Sequence, residues 1–167
     1  MDIILIRHAK AADRDPNSWP DDDKRPLTEE GMAEQRAVAR VMRRMGVKFD
    51  FLVTSPLLRA RQTADIVADV YKWKEPPQES DALGNGFSVA AVMKLLAKFP
   101  PDSRVALVGH DPHFPTLASA LVTKSADLRI EVKKSGAIGI WFDGAAQAGA
   151  GVLSYHLKPG QLRKLAR

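Results

Sequence analysis

Met1-Asp2-Ile3-Ile4-Leu5-Ile6-Arg7-His8 is the stretch that decides the fold class. The run Ile3 to Ile6 is apolar at every position rather than at every second one, which is the pattern of a strand buried on both faces in a parallel sheet. Charge follows at once, so this strand delivers Arg7 and His8 at its C-terminal end, where α/β folds place their chemistry. Two later runs repeat the arrangement. Phe51 to Thr54 leads into Ser55-Pro56-Leu57-Leu58-Arg59, and Arg104 to Val108 leads into Gly109-His110.

Helical patterns separate these strands. Thr28 caps a helix with Glu29 and Glu30 in its first turn and Val38, Val41, Met42 and Met45 at helical spacing, ended by Gly46. Its other face carries Arg36, Arg40, Arg43 and Arg44, read as a solvated stripe. Ser55 caps and Pro56 opens a second helix that runs to about Lys72. Val89, Val92, Met93, Leu96 and Phe99 mark a third, ended by Pro100-Pro101, and Asp111-Pro112 caps and opens a fourth. Ala137 to Phe142 and Val152 to Leu157 read as a late hairpin, with a peripheral basic tail from Lys158. The proline-rich segment Ala11 to Leu27 reads as a loop in which Asp21-Asp22-Asp23 is solvated surface. No repeat or linker divides the chain, so one domain is expected over residues 1–167: a three-layer α/β/α sandwich with a mostly parallel central sheet.

Composition narrows the chemistry. The 167 residues include 25 Lys plus Arg against 20 Asp plus Glu, a formal charge of +5 that mildly favours anionic partners. No cysteine is present, which removes disulfides, thiolate metal sites and every cysteine nucleophile. The apolar run at Ile3 to Ile6 is far shorter than a signal-peptide core or a membrane span, so a cytoplasmic protein with no membrane partner is expected. Trp19, Trp73 and Trp141 are too scattered to stack bases, so no nucleic-acid partner is expected. No long exposed apolar stripe demands a second subunit, and a monomer is expected.

In a parallel sheet the three strand ends share one edge. A pocket there holds His8, His110, Arg7 and Arg59 beside a helix N-terminus, an environment suited to a phosphate. Each guanidinium offers a charged planar fork to phosphoryl oxygens. With no cysteine, no Gly-x-Ser-x-Gly elbow and no Walker loop, the best nucleophile is the neutral His8 imidazole, with phosphohistidine as its intermediate. A protonated His110 would stabilise the transition state. His113, three residues on, reads as pocket wall rather than as a metal ligand, His156 as packing, and Lys10 as pocket entrance or solvated surface.

Leu5-Ile6-Arg7-His8-Ala9-Lys10 resembles the Arg-His-Gly signature of the histidine phosphatase superfamily, with alanine in place of the glycine. Ser55 to Ala64 resembles that family's second motif, and Val108-Gly109-His110-Asp111-Pro112 its third. Arg25-Pro26-Leu27-Thr28 followed by Gly31, and Lys134 to Ile138, are similar to the small phosphohistidine phosphatases of the SixA type. The resemblance covers nearly the whole chain and implies a phosphoglycerate-mutase-like fold, catalysis without metal or cofactor, and roles for His8, Arg7, Arg59 and His110, the last three binding phosphate. It also implies a phosphorylated protein substrate, such as a histidine-containing phosphotransfer domain, because the chain has little room for a lid.

Relatives that cleave phosphate esters use a carboxylic acid in the segment after the second helix. Only Glu79 and Asp81 lie there, with Asp81 the first candidate and neither in a clear motif. A departing imidazole needs such an acid far less than an alkoxide does. Two alternatives stay open: a phosphatase of small phosphate monoesters, and a non-catalytic module that holds a phosphorylated partner. Lys133-Lys134 reads either as a positive rim around a docked phosphoprotein or as an ordinary charged strand entry.

Overall fold

The strand that opens the chain, β1 (Asp2–Arg7), lies near the middle of a six-stranded sheet. The computed structural model describes residues 1–125 and 127–165. The other strands are β2 (Phe51–Thr54), β3 (Gln78–Glu79), β4 (Arg104–Gly109), β5 (Ala137–Trp141) and β6 (Val152–Leu157), in the spatial order β3-β2-β4-β1-β5-β6. β1 to β4 are mutually parallel, β5 runs antiparallel to β1, and β6 runs antiparallel to β5.

Helices cover both faces, which is why β1 and β4 are apolar at successive positions. Ile3, Leu5, Val105 and Leu107 point to the face covered by α3 (Val89–Leu96) and α4 (His113–Thr123), where Leu96, Phe114, Leu117 and Leu121 are buried. Ile4, Ile6, Ala106 and Val108 point to the opposite face, under α1 (Glu29–Arg44) and α2 (Leu58–Tyr71). The result is the expected three-layer sandwich with a mostly parallel sheet.

Local chemistry sets the element ends. Thr28 caps α1 as expected, its hydroxyl accepting the Gly31 N–H at 3.0 Å. Two helices start later than the sequence suggests. α2 begins at Leu58 rather than Pro56, and α4 at His113 rather than Pro112, because the side chains expected to cap them, Ser55 and Asp111, are engaged by His110 and Arg7. The tail also departs from expectation: Pro159–Leu165 forms a helix, α5, whose Leu162 is buried in the core beneath α1. The tail is apolar at one position per turn, too little to read as amphipathic without its neighbour. Among the described residues no helix is long and apolar enough to cross a membrane.

Gly31 shows how tightly α1 meets the catalytic strand end. A Cβ at this position would overlap the Lys10 carbonyl oxygen, and Lys10 is two residues past His8. Alanine normally stabilises a helix interior by about 1 kcal/mol relative to glycine. Here Gly31→Ala is expected to reverse that sign and destabilise by about 1–3 kcal/mol, the usual cost of overpacking. Calorimetry should show a melting temperature lower by about 2–4 °C per kcal/mol; a rise would contradict the close approach.

Candidate functional site

Three neighbouring strands, β2, β4 and β1, end at the same edge and are stitched together past their last ladder pairs. The His8 N–H donates to the Gly109 carbonyl at 2.9 Å, and the Ser55 N–H donates to the Val108 carbonyl at 2.9 Å. From the other side, the Ser135 N–H donates to the carbonyls of Arg7 and His8 at 3.2 and 3.3 Å. Gly109 has no room for a side chain, because a Cβ would stand 2.7 Å from the Phe114 ring. These contacts bring His8, Arg7, Arg59 and His110 together as the sequence predicts.

His8 is 7% exposed, and its Nδ1 lies 2.7 Å from the Ala9 carbonyl oxygen. A carbonyl only accepts, so Nδ1 carries the proton and Nε2 keeps a free lone pair. Burial is the main cause that pushes the His8 pKa down to about 4. The Ala9 carbonyl opposes the shift, and the charges of Arg59, Arg7 and Lys134 add to it. The ring is therefore neutral near pH 7, as a nucleophile must be.

The Ala9 carbonyl is itself held in place. The Ala9 N–H donates to Thr63 Oγ1 at 3.1 Å, and the Thr63 hydroxyl donates to the Arg59 carbonyl at 2.7 Å, with Thr63 fully buried in α2. One chain of bonds thus sets the backbone beside the nucleophile and the helix turn that carries the second arginine.

His110 is 5% exposed, with Nε2 2.8 Å from Ser55 Oγ. Its pKa is pushed down to about 3, first by burial and then by His8, Arg59, His113 and Arg7. Burial thus disfavours in the protein alone the protonated form that is expected of His110 against a phosphate. Burial among cations leaves this ring neutral until a phosphate brings negative charge beside it. A neutral ring still carries one N–H, on Nδ1 when the Ser55 hydroxyl donates to Nε2 and on Nε2 when that nitrogen donates to Ser55. The two imidazole centroids are 5.1 Å apart.

Each arginine spends its Nη atoms on the protein. Arg7 Nη1 donates to the Val132 carbonyl at 2.7 Å, and Nη2 lies 3.4 Å from Asp111 Oδ2. Arg59 Nη1 donates to the Asp22 carbonyl at 2.8 Å, and Nη2 lies 3.3 Å from Asp22 Oδ2. Three buried nitrogens are left over. Arg7 Nε, Arg59 Nε and His110 Nδ1 are buried and have no protein hydrogen-bond partner among the described residues. Buried polar atoms are nearly always paired. Two guanidinium N–H donors and an imidazole beside a bare imidazole nitrogen fit an anion with several acceptor oxygens, such as a phosphoryl group.

Asp22 corrects an expectation. It is no solvated surface residue: besides Arg59, it binds Arg25 Nε at 2.8 Å, and Arg25 holds its carboxyl below the usual range. The signal was present in the three-residue spacing of Asp22 and Arg25 but was hidden within an acidic run. Thr63, Ser55 and Asp111 were likewise not read as parts of the site.

The remaining candidates are placed as follows. His113 stacks on Phe87, centroids 4.1 Å apart, as pocket wall. Lys10 is exposed and pairs with Glu30 at 2.5 Å. His156 lies on β6, away from the cluster. Asp81 starts a short 3-10 helix just after β3, exposed and without a side-chain hydrogen bond among the described residues, and Glu79 is paired with Arg61.

Comparisons with known proteins agree with this geometry. Residues 3–85 match the family model described as histidine phosphatase superfamily, branch 1. An uncharacterized protein of Picosynechococcus sp. is 36% identical over 142 residues, covering 84% of each chain. The structure of the protein histidine phosphatase SixA complexed with tungstate aligns with a TM-score of 0.77 at 23% identity, over 97% of this chain and 99% of that one. A chain from Agrobacterium tumefaciens, provisionally named as the phosphohistidine phosphatase SixA, aligns with a TM-score of 0.77 at 25% identity, over 95% of this chain and 97% of that one. With His8, Arg7, Arg59 and His110 brought together at one sheet edge on this fold, the chain belongs to the histidine phosphatase superfamily, in the compact SixA-like form.

Proposed function

We propose that the protein is a phosphohistidine phosphatase that acts on a phosphorylated protein through a phospho-His8 intermediate and needs no metal. The observation that carries this reading is the His8 ring: Nδ1–H fixed on the Ala9 carbonyl, Nε2 bare, and the unpartnered buried Nε donors of Arg7 and Arg59 beside it.

In the first step the Nε2 lone pair of His8 forms a bond to phosphorus while the substrate's P–N bond breaks; the electron pair stays on the substrate ring, which departs as neutral imidazole because its other nitrogen already carries a proton. Arg7 and Arg59 hold the phosphoryl oxygens, and the His110 N–H meets the charge that builds on them. In the second step water attacks phospho-His8, inorganic phosphate leaves, and the His8 lone pair is restored. Two guanidiniums supply the positive charge that a metal ion would otherwise provide, which favours metal-independent turnover.

The choice of a phosphoramidate rests on the carboxylates. Asp22 is held in its anionic form by Arg25 and pairs with Arg59, Asp111 pairs with Arg7, and Glu79 pairs with Arg61. Asp81 is exposed. None of the four is buried, and a protein-bound imidazole whose second nitrogen carries a proton departs without a positioned acid.

Nitrogen-15 NMR is expected to show the neutral Nδ1–H tautomer of His8 at pH 6, titrating near pH 4. A doubly protonated ring at pH 6 would contradict the assigned role. In a chelator-treated assay His8→Ala should abolish release of phosphate from a histidine-phosphorylated carrier, and Arg59→Ala should lower kcat by about 10²–10³-fold. Release that survives in His8→Ala would remove the covalent route. Asp81→Asn should leave the phosphohistidine rate unchanged; a large loss there would assign Asp81 as an acid and favour ester substrates.

A further inference from the structure

The catalytic edge continues into a second basic feature that the reaction does not use. A groove of about 550 Å³ runs between the loop before β5 and the helix α5, lined by Lys133, Lys134, Lys158, Arg163 and Lys164, with Glu34 of α1 on its wall. Glu34 pairs with Arg163 at 3.1 Å, and Lys133 pairs with Glu131. Lys134, Lys158 and Lys164 are exposed and have no ion pair among the described residues.

The groove is joined to the nucleophile by backbone. Val132 receives the Arg7 guanidinium, and Ser135 donates to the Arg7 and His8 carbonyls, so Lys133 and Lys134 sit on a strap fastened at both ends to the catalytic strand. The Lys134 charge reaches far enough to be felt at His8.

Its chemistry differs from that of the phosphate clamp. Four of the five cations are lysines, point charges on flexible stems without the planar fork that suits phosphate. No aromatic side chain lines the groove to stack a base. From this we infer that the groove is the docking site for a carboxylate-rich segment that flanks the phosphohistidine on the protein substrate. The inference rests on the phosphohistidine phosphatase reading and names the face of the substrate that the enzyme recognises. Docking there orients the phosphorylated side chain toward His8 and leaves the chemical step untouched, so its signature is in KM and in salt dependence rather than in kcat.

The test compares the wild type with Lys158→Glu/Lys164→Glu, two exposed positions outside the catalytic pocket. A Lys94→Glu/Lys98→Glu pair serves as the control, because it makes the same charge change at exposed positions on and just after α3, which does not line the groove. Substrates are a histidine-phosphorylated carrier domain of net negative charge and phosphoimidazole, which has the same P–N bond and no protein surface.

The docking groove predicts that Lys158→Glu/Lys164→Glu lowers kcat/KM for the carrier by about tenfold or more, mainly through KM, and weakens its salt dependence. Phosphoimidazole turnover should stay unchanged, and the control pair should be near wild type on both substrates. An unchanged carrier KM, or an equal loss in the control pair, overturns the inference. Equilibrium binding of the phosphorylated carrier to His8→Ala, with and without the two lysine substitutions, separates the two readings. If the wild type turns over neither substrate, the catalytic reading fails, and an unaltered Kd in the lysine variant would then overturn the docking site on its own.

Discussion

The hydrogen bond from His8 Nδ1 to the Ala9 carbonyl is the constraint on which the rest of the site depends. An imidazole has two nitrogens and, when neutral, one proton, so the nucleophile exists only if something decides where that proton stays. A backbone carbonyl decides it here, and a carbonyl is only as well placed as the chain that carries it. Ala9 is fixed by Thr63, Thr63 by the first turn of α2, and the following residue, Lys10, by the closest approach of α1 at Gly31. Helices that pack on the sheet for apolar reasons thereby set the chemistry of one ring nitrogen.

The second constraint is electrostatic. Arg7, Arg59, His8 and His110 converge in a largely buried space, where four positive charges could not coexist. Guanidiniums keep their charge and imidazoles lose theirs, with His8 pushed to about 4 and His110 to about 3. Asp22 and Asp111 hold the two guanidiniums from outside the pocket and leave each Nε facing inward without a partner. The neutrality that suits His8 to the proposed nucleophilic role and the unmet donors that suit the site to an anion have the same origin.

The fold was legible because its strongest signals are local. Unbroken apolar runs at Ile3 to Ile6 and Val105 to Val108 require cover on two faces, and a parallel sheet then sends Arg7, His8 and His110 to one edge without further assumption. What the sequence hid was set by tertiary partners. Ser55 and Asp111 look like helix caps because cap chemistry and site chemistry use the same side chains, and only the neighbouring His110 and Arg7 decide between them. Asp22 sits in a run of three aspartates, where nothing local tells which one meets Arg59 across 37 residues of chain. The protonation state of His110 in the protein alone was not legible, because a residue type carries no information about desolvation, which is the largest cause of its lowered pKa.

The central claim is that His8 Nε2 takes the phosphoryl group. Acid-free rapid quench during turnover of a histidine-phosphorylated carrier, followed by mass-spectrometric mapping and phosphorus-31 NMR of the trapped enzyme, tests it most directly. The structure predicts a phosphoenzyme carrying one phosphate, on His8 and bonded through Nε2. Phosphate mapped to another residue, or turnover with no phosphoenzyme at any quench time, would contradict the account.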